Sequence, residues 1–120
     1  MADAIALIDD LFFQMKLRET AKLAGISLET STTSDALLQA AAANPEALVI
    51  VDLNARQGAI EAIEFLNGAN AGGHPRRIVA FLSHVQTGLA ERARAAGCRE
   101  VMPRSAFTQN LAQILRGENS

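Results

Sequence analysis

The sequence predicts an α/β protein in which helices cover both faces of a five-stranded parallel sheet. The clearest strand pattern is the run Leu48 to Val51, in which four apolar residues follow one another without alternation. Such runs are typical of parallel strands that are buried on both faces. Five strand patterns alternate along the chain with five segments of helical periodicity. Because parallel strands need long right-handed crossovers, this alternation favours a doubly wound sheet.

Local signals place the individual elements. The predicted strands cover residues 4–8, 26–31, 47–51, 78–82 and 100–102. The predicted helices cover about 13–24, 36–43, 59–66, 88–96 and 107–115. Three of these helices are followed by a glycine, which is a common helix stop: Gly25, Gly97 and Gly117. The second helix ends at Asn44-Pro45, because a residue before proline is disfavoured in helical conformation.

Composition limits the class of protein. With 120 residues, the chain has the size of one domain, and we expect a single domain over residues 1–120. The net charge of −2 argues against direct binding of nucleic acid or of a membrane surface. Cys98 is the only cysteine, so no disulfide forms within the chain. These features, with no apolar run long enough to span a membrane, predict a soluble cytoplasmic protein.

Acidic residues follow two of the predicted strands. Asp9 and Asp10 come after the first strand, and Asp52 comes after the third. If the strand order is 2-1-3-4-5, as in flavodoxin-like sheets, these strand ends are neighbours in the crevice where such sheets bind ligands. Carboxylates that lie close together repel one another, and a divalent cation relieves the repulsion. Mg²⁺ prefers oxygen ligands of this kind, so the sequence predicts a Mg²⁺ site here.

Two further polar residues follow the last two strands. Ser83 comes directly after the fourth strand, and Arg104 lies at the end of the fifth. A metal ion and a guanidinium can take negative charge from phosphoryl oxygens, while a hydroxyl donates a hydrogen bond to them. The strand ends therefore predict a site suited to a phosphoryl group.

At these positions the chain resembles the receiver domain of bacterial two-component response regulators, over nearly its whole length. In that family an acidic pair ends strand one and the phosphate-accepting Asp ends strand three. A Thr or Ser ends strand four, and a Lys followed by Pro ends strand five. The matching residues here are Asp9, Asp10, Asp52, Asn54, Ser83 and Gly97. Asn54 matches the residue whose main-chain carbonyl reaches the metal, and Gly97 matches the glycine before strand five.

The resemblance implies a function. Asp52 would accept a phosphoryl group from a histidine kinase or a phosphotransfer protein, with Mg²⁺ held by Asp9, Asp10, Asp52 and Asn54. The added charge would change a surface that binds a downstream effector protein or a fused output domain. Because the chain contributes only positioning and electrostatics to this transfer, we do not expect it to be an enzyme. The resemblance leaves open whether the chain forms a weak homodimer.

The chain also departs from the family pattern. Arg104-Ser105 replaces Lys-Pro, and Val101 stands where strand five usually carries a switch aromatic. Arginine is longer and planar where lysine is a compact charge, so Arg104 could contact a phosphoryl group or pair with Asp52 instead. An alternative function is therefore a phosphorylation-independent module that keeps the receiver fold for protein–protein interaction.

Two other classes fit poorly. A flavin or nucleotide binder needs a phosphate-binding loop rich in Gly, Ser or Thr after strand one, but the segment 9–13 is Asp-Asp-Leu-Phe-Phe. A phosphatase of the haloacid-dehalogenase type needs a second Asp two places after the nucleophile, where Asn54 stands. Since only one side of the first helix can face the sheet, Phe12 is a candidate for an exposed partner contact.

Overall fold

The computed structural model describes residues 2–55, 58–69, 76–83 and 87–117, and within them five parallel strands form one sheet. The strands are β1 (Ala4–Leu7), β2 (Leu28–Ser31), β3 (Leu48–Asp52), β4 (Ile78–Leu82) and β5 (Glu100–Pro103). Their order across the sheet is β2-β1-β3-β4-β5, and every neighbouring pair is parallel. The predicted fold class and strand order are confirmed, with β3 at the centre.

The described residues form six helices, whereas the sequence predicts five. They are α1 (Leu11–Ala24), α2 (Ser34–Ala43), α3 (Ala59–Ala69), α4 (Thr87–Ala95), α5 (Arg104–Gln109) and α6 (Leu111–Leu115). The prediction is wrong for the last helix, which is interrupted at Asn110. The side-chain Nδ2 of Asn110 donates to the carbonyl of Ala106 at 2.9 Å. Such local bonds from side chain to backbone compete with the helical pattern.

The core lies in two layers, one on each face of the sheet. Because successive side chains of a strand point to opposite faces, Val49 and Val51 pack in one layer and Ile50 in the other. The first layer contains buried residues of α2, α3 and α4. The second contains buried residues of α1, α5 and α6, among them Phe13 and Phe107. All three central residues of β3 have no exposed surface, as expected for a strand covered on both sides.

The register brings the carboxyl ends of four strands to the same edge of the sheet. Leu7 of β1 pairs with Val51 of β3, and Asp52 of β3 pairs with Phe81 of β4. Leu82 of β4 in turn pairs with Pro103 of β5. We call this side of the sheet the carboxyl edge. The residues that follow these strands, from Asp9 in the first crossover to the start of α5, therefore lie there.

The helices of the described ranges are all too short or too polar to cross a membrane. Helix α1, the longest, ends at Gly25, whose φ of 74° is left-handed and favours glycine. The predicted stop of this helix is confirmed.

Candidate functional site

Asp52 is the most buried acidic side chain at the carboxyl edge, and both of its oxygens are engaged. The residue is 2% exposed. Its Oδ1 accepts a hydrogen bond from the backbone N–H of Asn54 at 2.9 Å, which is possible because the chain turns immediately after β3. Its Oδ2 lies 3.6 Å from Nη2 of Arg104. The carboxylate is therefore held by one backbone donor and one cation.

The surroundings of Asp52 work against its negative charge. Burial is the largest effect and raises the pKa of the Asp52 carboxyl above its ordinary value. The hydrogen bond from Asn54 and the charge of Arg104 lower this pKa, and the negative charges of Asp9 and Asp10 raise it. A carboxylate in such surroundings favours a nearby cation, which Arg104 supplies.

Asp10 has two roles in the fold of this edge. Its Oδ1 accepts hydrogen bonds from the backbone N–H groups of Phe12 and Phe13, at 3.0 and 3.2 Å, and so caps the start of α1. Its Oδ2 lies 3.5 Å from Nη1 of Arg104. Two segments that are far apart in the sequence thus place Asp10 and Asp52 on either side of one guanidinium. Asp9 is half-buried beside them and acts on Asp52 through its charge.

Ser83 and Asn54 join the ends of β4 and β3. The backbone N–H and the hydroxyl of Ser83 both donate to the side-chain Oδ1 of Asn54, at 2.8 and 3.1 Å. The resemblance implied a role for the main-chain carbonyl of Asn54, and the structure shows this additional role for its side chain. The hydroxyl that could donate to a phosphoryl oxygen is therefore already donated within the chain.

Arg104 lies on an aromatic platform that the sequence did not reveal. Its guanidinium carbon lies 4.6 Å from the ring centroid of Phe13 and 5.6 Å from that of Phe81. The centroids of these two rings are 5.1 Å apart, and Phe107 stacks on Phe81 at 4.6 Å. Cations over aromatic faces are stabilised by the ring quadrupole. One feature of the sequence could have indicated this contact. Phe81 lies two residues before Ser83, so both side chains point to the same face of the sheet.

The donor set suits Mg²⁺, which binds through one or two carboxylates and keeps several waters. Asp10 and Asp52 provide such carboxylates, and Asp9 lies beside them. Within the described ranges, however, no three Asp, Glu, His or Cys side chains form a group that could hold a metal ion. The guanidinium of Arg104 lies between the two facing carboxylates. Two carboxylates thus face one cation, and in this structure that cation is the guanidinium of Arg104.

An exposed apolar surface begins next to this edge. Phe12 is 87% exposed, as the sequence predicts, and lies on α1 directly after the capping residue Asp10. The other exposed apolar residues of α1 are Leu11, Met15 and Leu23. Leu11, Phe12 and Met15 lie in the first two turns of α1, and we call these three residues the α1 apolar surface. Phe13, by contrast, is buried beneath Arg104.

A cavity of about 670 Å³ lies at the opposite edge, where the strands begin. Its lining includes Asp3, Glu46, Arg76 and Arg77. None of the residues that the sequence predicts for function lines it, so the cavity is separate from the carboxyl edge.

Comparison with known proteins supports the fold. No protein-family model matches the sequence, and no curated protein does. Solved structures do match: the chemotaxis response regulator CheY4 of Vibrio cholerae aligns with a TM-score of 0.80 at 17% identity, over 99% of both chains. The receiver domain of NtrX from Brucella abortus aligns with a TM-score of 0.79 at 14% identity, over 97% of both chains.

A third similar structure is the co-crystal of two Saccharomyces cerevisiae proteins, the histidine phosphotransfer protein Ypd1 and the receiver domain of its response regulator Ssk1. The alignment has a TM-score of 0.80 at 15% identity and covers 96% of this chain and 88% of that chain. These matches are mostly receiver domains. The chain therefore has the CheY-like receiver fold, and the resemblance seen in the sequence is confirmed at the level of fold.

Proposed function

We propose that the chain is a receiver module of two-component signalling that accepts a phosphoryl group on Asp52. The observation that carries the proposal is the convergence at the carboxyl edge: Asp52 ends the central strand, Asp10 and Ser83 follow the flanking strands, and Arg104 follows β5. A carboxylate can act as the nucleophile in phosphoryl transfer, and a hydroxyl donor and a guanidinium can stabilise the phosphoryl oxygens.

The donor in this proposal is a phosphohistidine of a histidine kinase or a phosphotransfer protein. An oxygen of the Asp52 carboxylate attacks phosphorus, a P–O bond forms and the P–N bond breaks. The bonding pair returns to the imidazole nitrogen of the donor, which takes a proton. Oδ2 is the better placed nucleophile, because Oδ1 is bound by the N–H of Asn54. Arg104, now 3.6 Å from Oδ2, donates to the phosphoryl oxygens as negative charge gathers there.

We propose that these groups would hold Mg²⁺: the carboxylates of Asp9, Asp10 and Asp52 and the main-chain carbonyl of Asn54. When bound, it supplies positive charge that neutralises the phosphoryl oxygens. The chain itself holds the acceptor in place and excludes water around it, since Asp52 is 2% exposed. It acts as the acceptor of the transfer, so we do not class it as an enzyme.

Phosphorylation would change the contact between the ends of β3 and β4. The hydroxyl of Ser83 is donated to Asn54 Oδ1 at 3.1 Å, and a phosphoryl group on Asp52 offers it a charged acceptor instead. Moving this hydroxyl takes away one of the two donors that Ser83 offers to Asn54 Oδ1 and so weakens the contact between the ends of β3 and β4. In our proposal a downstream effector protein or a fused output domain binds the changed surface. We propose that the module acts in the cytoplasm.

The α1 apolar surface is the proposed contact for the phosphodonor. It adjoins Asp10, so a partner that lies on α1 reaches over the carboxyl edge. The similar Ypd1–Ssk1 structure pairs a phosphotransfer protein with a receiver domain, which supports a partner of this class.

The test is phosphorylation by a small donor. The protein is incubated with acetyl phosphate and Mg²⁺ and its intact mass is measured, beside Asp52→Asn and a responsive receiver as controls. We expect a gain of one phosphoryl group in the wild type and none in Asp52→Asn. No gain in the wild type while the responsive receiver is modified, or an equal gain in Asp52→Asn, would contradict the proposal.

A second candidate is a phosphorylation-independent interaction module. One observation favours it: Arg104 already neutralises Asp52, and the hydroxyl of Ser83 already has an acceptor. In that case, affinity purification with Asp52→Asn recovers the same partners as the wild type. A partner that binds only the phosphorylated wild type would exclude this candidate.

A further inference from the structure

We propose that Arg104 is a tethered counter-cation, which must be displaced before a divalent cation can bind at the carboxyl edge. The inference rests on the proposed function only in taking Asp10 and Asp52 as the cation ligands. It adds a competitor that is part of the chain, so that the affinity for Mg²⁺ depends on how firmly Arg104 is held.

The guanidinium of Arg104 lies between two carboxylates. Its two terminal nitrogens each face a different carboxylate, with Nη1 at 3.5 Å from Asp10 Oδ2 and Nη2 at 3.6 Å from Asp52 Oδ2. The remaining oxygens, both Oδ1 atoms, accept backbone N–H groups at the start of α1 and after β3. Asp10 Oδ1 already accepts two N–H groups, so a divalent cation that leaves these bonds intact has to bind Asp10 through Oδ2, the atom that faces Arg104.

Both ion pairs of Arg104 are long. Charge-assisted N–H···O bonds are usually about 2.7–2.9 Å long, so distances of 3.5 and 3.6 Å describe a loose pairing. Asp10 and Arg104 are also partly open to solvent, which screens their attraction. The guanidinium can therefore be displaced from these oxygens without breaking a close bond.

Two other features keep Arg104 in place despite the loose pairing. Its backbone is fixed as the first residue of α5, and its guanidinium lies over the rings of Phe13 and Phe81. Its Nε is buried and has no hydrogen-bond partner among the residues that the structure describes. The charge is thus held close to the carboxylates by the helix start and the aromatic platform, and replacing it with Mg²⁺ costs those contacts.

The experiment is a Mg²⁺ titration followed by amide chemical shifts in two-dimensional NMR spectra. Arg104→Met removes the charge and keeps much of the apolar stem. Arg104→Lys keeps a charge but not the planar fork. Arg99→Met is the matched control, because Arg99 is exposed and directly precedes β5, at the opposite edge of the sheet. The amides after β1, β3 and β4 report binding.

We expect Arg104→Met to bind Mg²⁺ at least about tenfold more tightly than the wild type, since tenfold corresponds to only about 1.4 kcal/mol. Arg104→Lys should lie between them, and Arg99→Met should match the wild type. An unchanged affinity in Arg104→Met, or an equal gain in Arg99→Met, would overturn the proposal. An equal gain in Arg99→Met would show that the affinity for Mg²⁺ depends on the net charge of the protein and not on the position of Arg104.

A second variant covers the case in which Arg104→Met does not fold. Phe13→Leu keeps every charge and removes one ring of the platform, so Arg104 is held less firmly. We expect it to bind Mg²⁺ a few times more tightly than the wild type, and weaker or equal binding would count against the proposal. Because no phosphodonor is present, the titration is independent of the mass experiment: Asp52 could fail to accept a phosphoryl group while the affinity difference persists.

Discussion

Two arginines pair with carboxylates at opposite edges of the sheet, and their geometries differ. At the edge where the strands begin, Arg77 forms a two-pronged bond with Glu100, with Nε and Nη2 at 2.8 and 2.9 Å from the two carboxylate oxygens. At the carboxyl edge, Arg104 is shared between Asp10 and Asp52 at 3.5 and 3.6 Å. The close pair joins the starts of β4 and β5, whereas the loose pair spans residues from three strand ends.

The difference separates a close ion pair from a loose one, which in our proposal a divalent cation opens. Hydrogen bonding to Glu100 is the largest effect on Arg77 and raises the pKa of its guanidinium, so this charge is stabilised where it is. Arg104 is held by rings and by two distant oxygens, and its neighbour Asp52 has a raised pKa because of burial. The sheet thus has a loosely paired arginine at one edge and a closely paired arginine at the other.

The largest expected effect comes from the aromatic platform of Arg104, which has no counterpart at Arg77 among the residues that the structure describes. Phe81 is fully buried and contacts both Phe13 and Phe107. We expect Phe81→Ala to lower the free energy of unfolding by about 3–5 kcal/mol, because it leaves a cavity in the core. Urea unfolding followed by circular dichroism measures it. A loss below about 1 kcal/mol would mean that the rings do not form a packed support.

The next effect is the loss of the Arg104 charge. Arg104→Met leaves the buried carboxylate of Asp52 without its cation, and we expect a loss of about 2 kcal/mol, less than for a fully buried pair because Arg104 is partly exposed. The same substitution in an Asp52→Asn background should cost much less. If both backgrounds lose the same free energy in urea unfolding, Arg104 does not compensate Asp52.

Breaking the close pair should have a smaller effect. We expect Arg77→Met to cost about 1 kcal/mol, because Arg77 and Glu100 are both partly exposed and solvent screens their attraction. The loss measured in urea should shrink as salt is added, and the affinity for Mg²⁺ should not change. A change in Mg²⁺ affinity equal to that of Arg104→Met would erase the distinction between the two edges.

The smallest effect is a dependence on pH at Asp52. A raised pKa means that the folded state binds the proton more readily than the unfolded state, so stability falls as pH rises from the ordinary value of Asp through the raised one. Above that range Asp52 is charged in the folded state, and the cost of burying this charge lowers the free energy of unfolding in full. We therefore expect Asp52→Asn to melt at a higher temperature than the wild type at about pH 7.5, with a smaller difference at about pH 4.5. If the difference in melting temperature between Asp52→Asn and the wild type grew towards acid pH, the pKa of Asp52 would not be raised in the folded state.

The residues that follow β3 and β4 at the carboxyl edge could be predicted from the sequence, because runs of apolar residues show where buried strands end. The run before Asp52 and the run before Ser83 are unambiguous, and their parallel pairing follows from the alternation with helices. The partners of Arg104 could not be assigned in advance, since a long side chain reaches several neighbours. The sequence left open a contact with a phosphoryl group or with Asp52, and the structure shows that Asp10 shares the guanidinium.

Two features lacked a local signal. The interruption at Asn110 is hidden because apolar spacing continues across it, from Phe107 to Leu111. The aromatic platform joins Phe13 of α1 to Phe81 of β4, and nothing near either residue in the sequence indicates the other. Contacts between distant segments depend on packing, which a single sequence does not display.

Asp10 couples two features of the carboxyl edge. It caps the start of α1, and it contributes one of the negative charges around Arg104. The same carboxylate receives the N–H groups of Phe12 and Phe13 and faces Arg104. A ligand that draws this carboxylate away leaves those two donors unsatisfied and loosens the first turn, where Phe12 is exposed. Coupling between two binding sites is reciprocal. If such a ligand weakens the binding of a partner protein to this first turn, the partner weakens the binding of the ligand by the same factor, without contacting Asp52.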